Sequence, residues 1–208
     1  CVDLSERRCL INAYRNRVCD NVTIYVANFN DLQLEKKYDY ITLIGVLEYA
    51  AYYTDSSNPF VDFLKNIKKM LKTGGKVLIA IENKYGLKYW AGRAEDHTGM
   101  YFEGITGYRK TESKVRTFSK EKLQEIILSA GYGNLQFYYP VPDYKFPQHI
   151  FSDQYLPTVD SFVMDEHVYD NYSINLFDLN AAMREIIKDG KFDFFNNSFF
   201  VEIEVGNE

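Results

Sequence analysis

The sequence predicts an α/β domain built on a mostly parallel sheet. Continuous apolar runs at Ile41-Thr42-Leu43-Ile44 and Val77-Leu78-Ile79-Ala80-Ile81 read as strands covered on both faces. Helices with clear start signals lie between the strands, the order that βαβ units require. The last strand, Ser198 to Val205, alternates apolar and polar residues, which marks an antiparallel C-terminal edge.

Taken in order, Val2-Asp3 closes a short strand, and Ser5 can cap a helix carrying Leu10, Ala13 and Tyr14. Val22 to Val26 is a second strand, followed by Ala27-Asn28-Phe29, and Tyr38 to Leu47 is the third. Asn58-Pro59 opens a helix whose stripe is Phe60, Phe63, Leu64, Ile67 and Met70 or Leu71. Gly74-Gly75 is its expected stop, since glycine accepts left-handed backbone angles. The strand from Lys76 to Ile81 leads into a long excursion, 83–116. Its aromatics (Tyr85, Tyr89, Trp90, Tyr101, Phe102, Tyr108) predict an ordered lid. Ser119 caps a helix with Leu123, Ile126 and Ile127 on one face and Gly131 as its stop. Leu135 to Tyr139 is a strand, 143–177 a second aromatic excursion, and Leu179 to Lys188 the last helix.

At 208 residues this is one domain, 1–208, with insertions at about 83–116 and 143–177. A net charge of -5 argues against a nucleic-acid surface, which needs a basic excess. No apolar run is long enough to span a membrane and no signal peptide opens the chain, so no membrane partner is expected. Cys1, Cys9 and Cys19 lack metal or redox spacing, which suits reduced thiols in a cytoplasmic protein.

Open α/β sheets bind ligands at the carboxyl ends of their strands. Asp3, Asn28-Phe29, Gly45 with Leu47-Glu48, and Glu82-Asn83 all stand there. Five stretches in order then carry a resemblance: Val2-Asp3-Leu4-Ser5, Ala27-Asn28-Phe29-Asn30-Asp31-Leu32, Tyr38-Asp39-Tyr40-Ile41, Gly45-Val46-Leu47-Glu48-Tyr49, and Leu71-Lys72-Thr73-Gly74-Gly75-Lys76-Val77. Together they resemble the class I S-adenosylmethionine-dependent methyltransferases over nearly the whole chain, and imply a Rossmann-like sheet and S-adenosyl-L-methionine as cofactor. In that family Asp3 would hold the ribose hydroxyls and Leu4 would pack on adenine. Asn28 would accept from the adenine amino group, the Phe29 amide would donate to the ring, and Gly45 and Leu47 would line the methionine side. Asn stands where the family more often has Asp, and Tyr49 where it frequently has His. The family's first strand and Gly-rich loop would precede Cys1, so the resemblance reads the chain as N-terminally truncated. Upstream residues are expected, or a homodimer or strand exchange filling the central gap, because an open strand edge must be covered.

The run from Asn83 to Gly92, Glu95-Asp96-His97-Thr98-Gly99 and Pro142-Asp143-Tyr144-Lys145 resemble a subgroup found beside glycosyltransferases of bacterial surface polysaccharides. Glu48, Asn83, Tyr85 and Trp90 are the candidate substrate contacts, and His97, with Asp96 beside it, is the candidate catalytic base. Methyl transfer can also proceed by positioning alone. No metal site is expected, because the three histidines are scattered without i,i+4 pairing. The leading function is O-methylation of a small molecule or sugar. Two alternatives stay open: a non-catalytic methyltransferase-like scaffold, and an NAD-dependent oxidoreductase, since Asp3 would serve an NAD ribose equally well.

Overall fold

The computed structural model describes residues 1–32, 34–165 and 175–205. His167 and the rest of 166–174, within the second excursion, lie outside the described residues. The strands are β1 (Val2–Asp3), β2 (Tyr25–Val26), β3 (Tyr38–Ile44), β4 (Leu71–Glu82), β5 (Asn134–Val141), β6 (His149–Ser152) and β7 (Ser198–Glu204).

Helix α1 (Glu6–Arg15) follows β1, with the Ser5 hydroxyl accepting from the Arg8 amide at 3.3 Å. β1 and β2 pair in parallel, and β2 is shorter than its apolar run suggested. The larger sheet has the order β3-β4-β7-β5-β6. β3 and β4 are parallel, β7 is antiparallel to both β4 and β5, and β6 is antiparallel to β5. The antiparallel pairing predicted from the alternating C-terminal strand is present, but β7 is the central strand of the five and not an edge. β6 forms the edge on that side and lies inside the excursion that the sequence left irregular. Among the described residues no ladder joins β1 to β3. A cavity of about 280 Å³ lies between them, lined by Val2, Tyr25, Tyr40, Thr42 and Phe63 among others.

The short α2 (Ala50–Tyr53) precedes α3 (Pro59–Lys69), which starts at the predicted proline, although Asn58 makes no side-chain capping bond. The end of α3 differs from expectation. It stops at Lys69, and Gly74-Gly75 lies within β4 instead. There the ladder jumps from Tyr38 opposite Leu71 to Tyr40 opposite Lys76, so β4 carries extra residues in a bulge. Gly74 has φ +71°, and a Cβ on Gly75 would sit 2.9 Å from the Lys72 carbonyl oxygen and 3.1 Å from that of Tyr38. The glycine pair therefore serves strand pairing rather than helix termination.

α3 packs on α5 (Lys120–Ser129), while α4 (Leu87–Trp90), α6 (Leu179–Lys188) and α7 (Phe192–Phe195) form a second helical group. Ser119 caps α5 as predicted, accepting from the Lys122 amide at 3.3 Å. One apolar core runs through Phe63, Leu64, Val77, Ile79, Leu123, Ile127, Phe137 and Val201. No helix among the described residues is long and apolar enough to cross a membrane.

Segment 83–116 is fastened to the chain's last strand and helix. The Asn83 amide donates to the Asn197 carbonyl at 2.9 Å, and its side chain donates to the carbonyls of Phe194 and Asn196, both at 2.7 Å. The Lys88 amide donates to Asn197 Oδ1 at 3.0 Å. Gly86 permits this contact, since a Cβ there would lie 2.9 Å from the Asn197 Cα. Replacing Gly86 with Ala should therefore cost about 1–3 kcal/mol through overpacking. Urea unfolding measures this, and an unchanged midpoint would show that the contact can relax.

Candidate functional site

The carboxyl ends of β1, β2 and β3 open onto one cavity of about 500 Å³, a size that suits a nucleotide-like ligand. Asp3, Leu4, Asn28, Phe29 and Gly45 all line it, although they come from three separate strand ends. Asp3 has one oxygen engaged locally: Oδ1 accepts from the Ser5 amide at 2.7 Å. Its Oδ2 lies 3.7 Å from Arg8, an exposed cation on the same wall. Asn28 caps the 3-10 turn Phe29–Asp31, its side-chain oxygen accepting from Asn30 at 3.1 Å. Phe29 is held edge-on against Phe63, with ring centroids 5.4 Å apart. Gly45 has φ +62°, and a Cβ on it would meet the Tyr144 hydroxyl at 3.1 Å.

Leu47 does not join this wall. It is fully buried in the apolar core, and Val46 and Tyr49 line the cavity instead. The left-handed turn at Gly45 leads directly into the 3-10 turn Leu47–Tyr49, which directs Leu47 inward.

Beside Gly45 lies a dense buried polar cluster at the ends of β3 and β4. Glu48 and Glu82 are each 1% exposed, so two carboxylates are almost wholly removed from water. His97 enters between them from segment 83–116. Its Nε2 lies 3.5 Å from Glu48 Oε1 and 3.8 Å from Glu82 Oε2. Its partner in the chain is Glu95, not the adjacent Asp96. Glu95 Oε1 accepts from Nδ1 at 2.9 Å, while Glu95 Oε2 accepts the His97 and Thr98 amides. Burial works against a charge on His97, yet its carboxylate neighbours Glu48, Glu95 and Glu82 raise its pKa to about 10. In this arrangement the imidazole is cationic at neutral pH and has no lone pair with which to accept a proton. In that protonated form His97 would not act as a general base. Burial raises the pKa of Glu48.

The second excursion completes the cluster. Tyr144 Oη donates to Glu82 Oε1 at 3.1 Å, and Lys145 Nζ bridges Glu82 Oε1 and Asp96 Oδ1, each at 3.2 Å. Asp96 also pairs with the buried Lys88 at 2.7 Å and accepts from the Tyr89 hydroxyl. Burial opposes the charge of Asp96, but Lys88, Tyr89 and Lys145 hold its carboxyl far below the usual range. The run Pro142-Asp143-Tyr144-Lys145 was thus a usable sequence signal for this site.

Three candidate substrate contacts sit elsewhere. Asn83 spends both its amide and its oxygen on the chain, with Oδ1 accepting from the Tyr85 amide at 2.9 Å. Tyr85 stacks on Phe194 with centroids 5.2 Å apart, and Trp90 meets Phe195 edge-on and donates to the Tyr85 carbonyl. These residues pack segment 83–116 onto α7, a helix that the sequence reading had missed. Glu48 alone of the four candidates adjoins Gly45.

No family model matches the chain, and no curated protein matches it. Solved structures do match, over essentially its whole length. The fold is that of the class I S-adenosylmethionine-dependent methyltransferases. An S-adenosylmethionine-dependent methyltransferase from Clostridium acetobutylicum aligns with 99% of this chain and 74% of its own, at 14% identity and TM-score 0.52. A chain of the complex between the Haloferax volcanii Trm112 methyltransferase activator and its methyltransferase aligns with 100% and 71%, at 16% identity and TM-score 0.53. A Thermotoga maritima methyltransferase, described as a possible histamine N-methyltransferase, aligns with 99% and 72%, at 15% identity and TM-score 0.50. Within this methyltransferase fold, the 500 Å³ cavity and the His97 cluster share the wall formed by Gly45 and Tyr49.

The Lys88–Asp96 pair gives a direct test of how the cluster is held. Lys88→Met leaves Asp96 buried without its nearest cation, and should destabilise the protein by about 3–5 kcal/mol. Chemical denaturation measures this. Adding Asp96→Asn should recover part of the loss, and an additive double variant would mean that the two side chains do not interact.

Proposed function

We propose that this chain is an S-adenosylmethionine-dependent methyltransferase that methylates an oxygen of a small molecule or glycan. The observation that carries the reading is the convergence of Asp3, Asn28 and Gly45, distant in sequence, on one cavity. Asp3 lines that cavity beside Arg8, and its Oδ2, 3.7 Å from Arg8, is the acceptor suited to ribose hydroxyls. Leu4 and Phe29 offer apolar surface for a flat base, and the Asn28 carbonyl oxygen is an acceptor for its amino group. When bound, S-adenosylmethionine supplies an electrophilic methyl group on a sulfonium.

The chain's own residues then position and desolvate. Gly45, without a side chain, keeps the wall between the cavity and Glu48 thin. Tyr49 and Tyr53 add aromatic surface to the cavity, which suits the face of a sugar ring. Tyr144 and Glu48 border the same wall from the buried side, which favours a position for the acceptor over Gly45. With His97 cationic, proton removal does not rest on it, and alignment of the acceptor with exclusion of water supplies most of the rate.

Calorimetry with S-adenosylhomocysteine and with NAD tests the reading. S-adenosylhomocysteine should bind and NAD should not. Asp3→Asn keeps an acceptor for the Ser5 amide but removes the charge, and should weaken S-adenosylhomocysteine roughly tenfold or more, the loss expected for hydrogen bonds to a charged group. Preferential binding of NAD, or affinity indifferent to Asp3, would overturn the assignment.

A further inference from the structure

The cluster beside Gly45 contains acceptor atoms that the protein itself leaves unused. Glu48 Oε2 and Glu82 Oε2 are buried and have no hydrogen-bond partner. An orphaned buried carboxylate oxygen is costly, and two in one cluster are more so. His97 Nε2 points at both glutamates from distances longer than a normal hydrogen bond. Its Nδ1 is occupied by Glu95. A metal ion bound here would displace the proton from Nε2, while Nδ1 keeps its own for Glu95.

We infer that Glu48, Glu82 and His97 form a binding site for a divalent first-row transition cation, with Glu95 as the positioning residue for His97. One donor atom from each of the three lies within 4.8 Å of the others. Bonds of about 2.0–2.2 Å to nitrogen and oxygen separate neighbouring donors by roughly 3.0–3.5 Å. The 3.5 and 3.8 Å from Nε2 to the two glutamates need to close by only a few tenths of an ångström, and all three donors already lie within 4.8 Å of one another. An imidazole with two carboxylates suits cations from manganese to zinc better than magnesium or calcium, which prefer all-oxygen sites. The carboxylate–imidazole hydrogen bond behind the ligand is the support that metal-bound histidines regularly have.

The ligands come from three chain segments: the turn after β3, the end of β4, and segment 83–116. A cation here joins that segment to the strand ends, one residue layer behind the wall at Gly45. Sequence spacing gave no sign of it, because the three residues lie 34 and 15 positions apart (82 minus 48, 97 minus 82). The cation site does not depend on the methyltransferase reading, since nothing in its geometry involves the cavity's contents.

The test uses the full chain, stripped with chelator and titrated without cofactor. Co²⁺ binding is followed by visible absorption, and Zn²⁺ and Mn²⁺ binding by calorimetry. One equivalent should bind. Glu82→Gln and His97→Ala should weaken it at least tenfold, and Glu95→Gln by about 10–100-fold with a changed Co²⁺ spectrum. Asp39→Asn, on the surface at the far end of β3, should leave it unchanged. Circular dichroism confirms that each variant is folded.

No binding by the folded chain at millimolar metal would overturn the inference, as would binding indifferent to Glu82 and His97. Capture of methylammonium by the metal-free chain, lost in Glu82→Gln and accompanied by no metal binding, would also overturn it and assign the cluster to an organic cation. Failure to bind S-adenosylhomocysteine with metal binding intact would count against the cofactor reading alone.

Discussion

Removing charge from water is costly enough that buried ions must find partners, and that constraint organises the carboxyl end of this sheet. Glu82 closes β4 inside the protein, where a lone carboxylate would be unfavourable. Lys145 and Tyr144 from one excursion and His97 from the other meet that requirement. Asp96 and Lys88 extend the alternation of charge, so that each ion in the series has a neighbour of opposite sign. The two long excursions are thereby joined to the strand ends and, through Lys145, to each other.

This polar scaffold and the ligand cavity divide the work. The cavity walls come from the ends of β1, β2 and β3, where short turns hold Asp3 and Asn28 by bonds to nearby backbone amides and the Gly45 amide donates to the Ala80 carbonyl of β4 at 3.0 Å. The His97 cluster lies behind those walls and depends on contacts between residues far apart in the chain. Damage to one should therefore spare much of the other. The coupling between them passes through Gly45, Glu48 and Tyr49, which touch both.

Aromatic residues play two roles here, and composition could not separate them. Tyr89, Tyr108 and Tyr139 are buried with their hydroxyls on acidic partners. Burial raises the pKa of each, so each remains a neutral donor. Tyr85 and Trp90 instead form the packing seam with Phe194 and Phe195. A buried tyrosine with a carboxylate within reach becomes a donor, and one without becomes packing surface.

The pattern of apolar runs and capping residues was enough to define the α/β architecture, the antiparallel side of the sheet and the start of each main helix. It also placed Asp3, Asn28 and Gly45 at strand ends, because strand termini are local features that period and turn residues mark. The Gly74-Gly75 pair shows the limit. Helix stops and strand bulges demand the same backbone freedom, and only the pairing of Tyr38 and Tyr40 with β4 distinguishes them. Leu47 fell inward because a turn of 3-10 helix replaced the extended chain expected there. The partner of His97, the gathering of Glu48 with Glu82, and the seam on α7 were decided by tertiary structure alone. Each depends on which segments pack against the strand ends, and local periodicity carries no record of contacts made so far along the chain.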